Sequence, residues 1–169
     1  MLLYGLLIFP YISLILLTKR KQMKNTNWLA ILAATIAGFF IGFLWYGLLF
    51  QPQWMEGNGI TTSGEGDAIK MFKYGKEVAV SNVPMIANVI GMFVLALITN
   101  WILNVSNHTT AAKGLTIGAI LGLIVSVNIL LSNLFANNSM TLTLVDSSYI
   151  IVVLGVMGLI LGAWRKKTA

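Results

Sequence analysis

Residues 28–50 read WLAILAATIAGFFIGFLWYGLLF, and the reading of this stretch decides the fold. It is 23 residues long and carries no charge. At 1.5 Å rise per residue, about 20 residues cross a hydrocarbon core about 30 Å thick. Twelve of its residues are Leu, Ile or Phe, which on a membrane-insertion scale contribute roughly −4 to −7 kcal/mol. The segment therefore enters lipid as a helix. Three more apolar runs follow at 83–105, 114–136 and 145–164, with 23, 23 and 20 residues. Asp146, at the start of the last run, is the one charge in any of them. The pattern predicts an all-α integral membrane protein, a four-helix transmembrane bundle formed by residues 23–169.

Composition points the same way. Of 169 residues, 57% are of the AVILMFWYC class and 9% are charged, and the mean hydropathy is +0.84. Soluble domains carry about 25% charged residues, and disorder needs low hydrophobicity with high charge. Residues 1–22 form a separate hydrophobic segment with a basic flank, its apolar run at 2–17 broken by Pro10. A secretory signal places its positive charges before the apolar run and a small-residue cleavage site after it. This segment does the reverse. It reads either as an additional uncleaved helix or as lying upstream of a start at Met23.

The net charge of +6 does not point to nucleic acid. Seven of the eleven basic residues form two clusters, Lys19/Arg20/Lys21/Lys24 and Arg165/Lys166/Lys167, and both abut apolar runs. Such clusters set topology and meet lipid headgroups. Residues 18–27, 106–113 and the C-terminal tail fall on one side, with four, one and three basic residues. The other side holds Lys70, Lys73 and Lys76. Eight against three places the C-terminus in the cytoplasm and the long connection 51–82 outside. The expected setting is a cytoplasmic membrane, crossed several times, with the lipid bilayer as the partner.

Within 51–82, residues 57–66 are rich in Gly, Thr and Ser and read as irregular. Asp67 followed by residues 68–73 reads as a short capped helix. Ser81 and Asn82 ahead of Pro84 mark the start of the second span.

Lipid supplies no hydrophobic drive between helices, so small residues mark close contact. Ala34, Gly38 and Gly42 recur every four residues, and Trp45 falls about 20° from their mean direction. Gly114, Gly118, Gly122 and Ser126 form a second stripe, with Asn133 about 40° away. Ser148, Ile151, Gly155, Gly158 and Gly162 lie within about 80° of one another. These faces pack within one bundle or join copies into a homo-oligomer; spacing does not say which stripes meet.

Asn88, Thr99, Asn100, Ser126, Asn128, Ser132 and Asn133 lie inside the runs. A buried amide is costly unless paired, so they should face inward. Two readings follow. They are interhelical hydrogen bonds, or Asn88, Asn100, Asn128, Ser132 and Asn133 surround a small polar cavity. Trp28, Trp45, Tyr46, Trp54, Trp101 and Trp164 sit near span ends, as interfacial aromatics do. The dense Trp45-Tyr46-Gly47 and Trp54 group is also suited to lining an outside-facing pocket.

The chain has no cysteine, which removes thiol nucleophiles and cysteine metal sites. Asp146, beside Ser147 and Ser148, reads as a helix N-cap. That leaves no ionisable group deep in a span, where proton relays need one. His108 has no second ligand near it. An enzyme using Glu56, Glu65 or Asp67 with His108 would need groups from opposite faces of the membrane. No catalytic site, cofactor or metal is expected.

Asn27-Trp28-Leu29-Ala30, then Gly42-Phe43-Leu44-Trp45-Tyr46-Gly47-Leu48-Leu49-Phe50, then Trp54 and Gly59, resembles the opening of the bacterial membrane proteins of domain-of-unknown-function family 1761 (DUF1761). The close, Gly158-Leu159-Ile160-Leu161-Gly162-Ala163-Trp164-Arg165, is similar to that family's C-terminal pattern. The resemblance covers 27–169 and implies a four-helix membrane domain with no reaction, substrate or cofactor. One departure stands out. Family members often carry proline directly after Trp-Tyr-Gly, where this chain has Leu48, so its helix should run further before turning. The functional expectation is a non-enzymatic binding, accessory or self-associating component. The alternative is a facilitator or channel-like carrier of a small neutral solute, lined by the intramembrane amides.

Overall fold

A computed structural model describes residues 26–64, 66, 69–106 and 110–165. The hydrophobic segment 1–22, Glu65, Asp67, His108 and Lys166–Lys167 lie outside the described residues. Helix α1 spans Trp28–Leu44 and continues through a π-helical turn at Trp45–Leu49. A short helix α2 (Gln51–Gly57) follows, then strands β1 (Ile60–Ser63), β2 (Lys70–Lys73) and β3 (Lys76–Val78). Three long helices complete the chain: α3 (Val83–Val105), α4 (Ala111–Phe135) and α5 (Met140–Ala163). Among the described residues four helices are long and apolar enough to cross a membrane, the first counted through Leu49. The protein is a multi-pass helical membrane bundle with a small sheet at one end.

The helix starts follow local chemistry. Asn27 caps α1 by accepting from the Ala30 amide, and Thr110 caps α4 by accepting from Lys113. At α3 it is the Ser81 hydroxyl that accepts, from the Val83 amide at 3.2 Å, while the Asn82 side chain makes no cap bond. Pro84 lies in the first turn as expected. Leu48 lets α1 run on to Leu49, and the chain turns only before Pro52 at the start of α2.

Three expectations are corrected. The last span begins at Met140, with Ser139 as its cap (Leu142 amide to Ser139 hydroxyl, 3.2 Å), so Asp146 is no N-cap. It lies six residues into the helix, about 9 Å along its axis. The alternation Met140-Thr141-Leu142-Thr143-Leu144 hid the early turns. The Thr143 hydroxyl bonds back to the Ser139 carbonyl, which satisfies it inside the helix. Residues 70–73 are a strand rather than part of a helix. They form the middle of an antiparallel sheet ordered β1-β2-β3, with Thr62 opposite Met71 and Phe72 opposite Glu77. A two-residue turn at Tyr74-Gly75, both with positive φ, sets the β2–β3 register. Within the stretch 57–66, expected to be irregular, Gly57 ends α2 and residues 60–63 form β1.

Helix α5 is the centre of the bundle. It packs against α1, α3 and α4, while α4 packs almost wholly on α5. Ile31, Ala34, Ala96, Leu103, Val153, Met157 and Leu161 form the buried core between α1, α3 and α5. The glycine stripes of α4 and α5 face each other. A Cβ on Gly118 would lie 2.0 Å from the Leu154 carbonyl oxygen, and one on Gly158 would lie 2.1 Å from that of Gly114. The Ala34/Gly38/Gly42 stripe also faces inward, Gly38 toward Met157 and Gly42 toward Tyr149. At one end of the bundle the Asn27 amide donates to the Trp164 carbonyl, 3.1 Å, and Arg165 donates to Asn104. The sheet, α2 and the 136–139 turn belong to the other end, where α1 runs out and α3 begins. This relative sidedness is the one that helix parity demands.

Candidate functional site

The chain's most distinctive local geometry is the π turn. The Phe50 amide donates to the Trp45 carbonyl at 2.8 Å, one residue beyond the α-helical partner. Such wide turns occur often at functional sites. Here the turn sends two consecutive side chains to α5. The Trp45 indole N–H donates to the Val145 carbonyl at 3.1 Å, and the Tyr46 hydroxyl donates to Asp146 Oδ1 at 3.0 Å. These bonds fasten the end of α1 to the first turns of α5.

Around them the aromatic rings cluster. Tyr46 lies 4.8 Å from Tyr149 and 5.6 Å from Trp54 between ring centroids, and Trp45 lies 4.9 Å from Phe50. All are tilted pairs, the offset geometry that ring quadrupoles favour. Beside the cluster lies a cavity of about 480 Å³. Its α1 wall is Phe39, Gly42, Phe43, Tyr46 and Gly47. Pro84, Met85, Asn88 and Met92 of α3 form the opposite wall, with Tyr149 and Trp54 completing it. The volume falls within the about 300–1,000 Å³ of small-molecule sites. No lining residue is charged. The Asp146 carboxylate stands behind the wall, joined to it through Tyr46 and placed one turn before Tyr149.

The expected polar residues do not converge. Asn88 lines the cavity, whereas Asn100 is buried further along α3. Asn128 and Ser132 point outward on α4, contrary to the inward placement expected of them. Asn133 sits near the end of α4, where its carbonyl accepts from the Asn138 amide at 3.0 Å. Instead, several hydroxyls are satisfied by carbonyls within or beside their own helices. Thr35 bonds back to Ile31, and the Ser126 hydroxyl lies 2.9 Å from both the Gly122 and the Ser147 carbonyls. A lone hydroxyl thus needs no polar cavity.

The aromatics divide. Trp28, Trp101 and Trp164 are exposed on the bundle surface, as interfacial anchors are. Trp45, Tyr46 and Trp54 are half-buried and belong to the helix junction and the cavity. The sequence pattern does not single out Tyr149, Met85, Met92 or Phe39, and it puts Asp146 at the entrance of the last span rather than two turns into it. Tyr149 was findable, since it follows Asp146 at helical spacing. Its meeting with Tyr46 was not, because a hundred residues separate the two helices. A second, more polar cavity of about 360 Å³ lies nearby, between Gln53, Glu56 and Asn137–Ser139.

A family model described as "Protein of unknown function (DUF1761)" matches residues 29–162. The chain belongs to the DUF1761 family. The match takes in all four spans, the π turn and the cavity, and its limits lie close to the first and last turns of the bundle. No curated protein and no solved structure shows significant similarity to this DUF1761 protein.

Proposed function

We propose that this protein is a non-enzymatic binding or accessory component of the bacterial cytoplasmic membrane, and that the aromatic cavity is its binding element. The cavity carries this reading. It is preformed, of ligand size, and walled by rings and methionines, with Tyr46 held by the π turn and its bond to Asp146. Its site among span residues favours a molecule that arrives through the membrane. The scattered amides give no support to a solute path running the length of the bundle. The glycines of α4 and α5 face each other within the chain, which supports packing of one bundle as the use of those stripes.

The test uses bromobenzene, a small apolar quencher, against tryptophan fluorescence in nanodiscs. The wild type should show a saturable component from the Trp54 side of the cavity. Gly47→Leu should remove it, because Gly47 lines the cavity and an added Cβ there meets only the Phe43 ring at 3.7 Å. Quenching that is linear and identical in both proteins would defeat the reading.

Orientation rests on the eight-to-three distribution of basic residues, which favours a cytoplasmic C-terminus and an external sheet. The cysteine-free chain suits single-cysteine labelling. Lys76→Cys should react with an impermeant maleimide in intact cells, and Lys113→Cys only after permeabilisation. The opposite pattern would invert the topology.

A further inference from the structure

We propose that the cavity selects a lipophilic cation: an organic ammonium whose charged head meets the Tyr46–Tyr149 rings while its apolar body lies between α1 and α3. This deepens the binding role assigned above and rests on it.

Three observations converge. First, three rings meet at the loop end of the cavity and line it: Tyr46 packs against Tyr149 at 4.8 Å and Trp54 at 5.6 Å. The face of an aromatic ring is negative and attracts a cation, most strongly where water is excluded. Second, the Tyr46 hydroxyl donates to Asp146 Oδ1. That bond pushes electron density back into the phenol ring and strengthens its negative face, as hydrogen bonds in series polarise one another. Third, the Asp146 carboxylate has no ion-pair partner among the described residues; the ion pair found there joins Lys70 and Glu77 in the exposed sheet. A carboxylate inside a span is costly without compensation. A cation on the other side of the Tyr46 ring supplies it across one side chain.

The remaining lining fits the same guest. Phe39, Phe43, Met85 and Met92 offer apolar contact, and the Asn88 amide oxygen is able to accept from an ammonium N–H. An anion would meet the negative ring faces and the carboxylate. A neutral molecule of the same shape would gain the apolar contacts alone.

The experiment displaces bromobenzene in the quenching assay with two isosteres, benzyltrimethylammonium and neopentylbenzene, and with benzylsulfonate. The cation should displace at a concentration at least about tenfold below its neutral isostere, the anion least well. Asp146→Asn should bring cation and isostere within about threefold of each other. Tyr46→Phe, which keeps the carboxylate and loses the polarising bond, should fall between. The source of the ammonium is read by changing the lipid. Weaker displacement in phosphatidylethanolamine than in phosphatidylglycerol nanodiscs, with the gap abolished in Asp146→Asn, assigns the site to an ammonium headgroup. Equal displacement assigns it to a free cation. If neopentylbenzene matches the cation in the wild type while bromobenzene quenching still saturates, cation selection is wrong and the cavity reading survives. If bromobenzene never saturates, both fall.

Discussion

At the α4–α5 seam two helix backbones touch, while at the loop end of α1 and α3 they part around a cavity. The seam sets Gly114 against Gly158 and Gly162, Gly118 against Leu154 and Gly155, and Gly122 against Ile150 and Ile151. Ser126 adds one hydroxyl bridge. At the other site the facing residues are Phe39, Phe43, Tyr46, Met85 and Tyr149. The difference lies in what holds helices together in lipid. Burying apolar side chains gains little there, because lipid tails are equally apolar; close backbone approach and hydrogen bonds do the holding. Where glycines line up, that approach is available along the whole seam. Where rings stand instead, space is left between α1 and α3, and the end of α1 is fastened to α5 by point attachments, Trp45–Val145 and Tyr46–Asp146.

The sharpest way to break this contrast is to place a large side chain in each region. Gly118→Leu drives into the Leu154 backbone, which has no flexible atom to yield. It should cost about 3 kcal/mol or more, at the upper end of overpacking effects. Helix α4 should detach, seen as a large fall in unfolding temperature in detergent and as new protease sensitivity in the α4–α5 turn. A Gly118→Leu protein as stable as Gly47→Leu would end the distinction. A middle-sized effect is expected from Tyr46→Phe, which takes the hydroxyl donor away from the Asp146 carboxylate. The loss should be about 1–2 kcal/mol, read by denaturant unfolding, since removing one member of a charged hydrogen bond strands the other. Smallest is Gly38→Ala. Its Cβ would meet the Met157 Cε at 2.4 Å, but that methyl is the far end of a flexible side chain. A shift below about 1 kcal/mol is expected; a loss as large as that of Gly118→Leu would show that side-chain seams are as unforgiving as backbone ones.

How much of this could be read from the letters varies with the range of the interaction. The stripe 114–118–122 was plain, because i, i+4 spacing is local. Its partner was not named, since every span carries small residues. The hairpin was readable in principle from Tyr74-Gly75 between two short strands, but three or four residues of either period look alike. Thr141 and Thr143 make the span read as starting after them, with Asp146 at its entrance, whereas Thr143 satisfies its own hydroxyl by bonding backward and leaves the helix free to start at Met140. The cavity itself joins Tyr46 to Asp146 across a hundred residues, a pairing no local pattern carries.

The sequence by itself determined that four segments are long and apolar enough to cross a membrane, that Pro84 stands in the first turn of the second, and where the glycine stripes fall. Length, hydropathy and helical spacing are properties of a segment alone. Tertiary structure decided that α5 is the central helix, that the stripes of α4 and α5 are spent on each other, and that Asp146 stands behind an aromatic wall. Those outcomes depend on which backbones can approach and which rings hold them apart, and that is settled only when the helices meet.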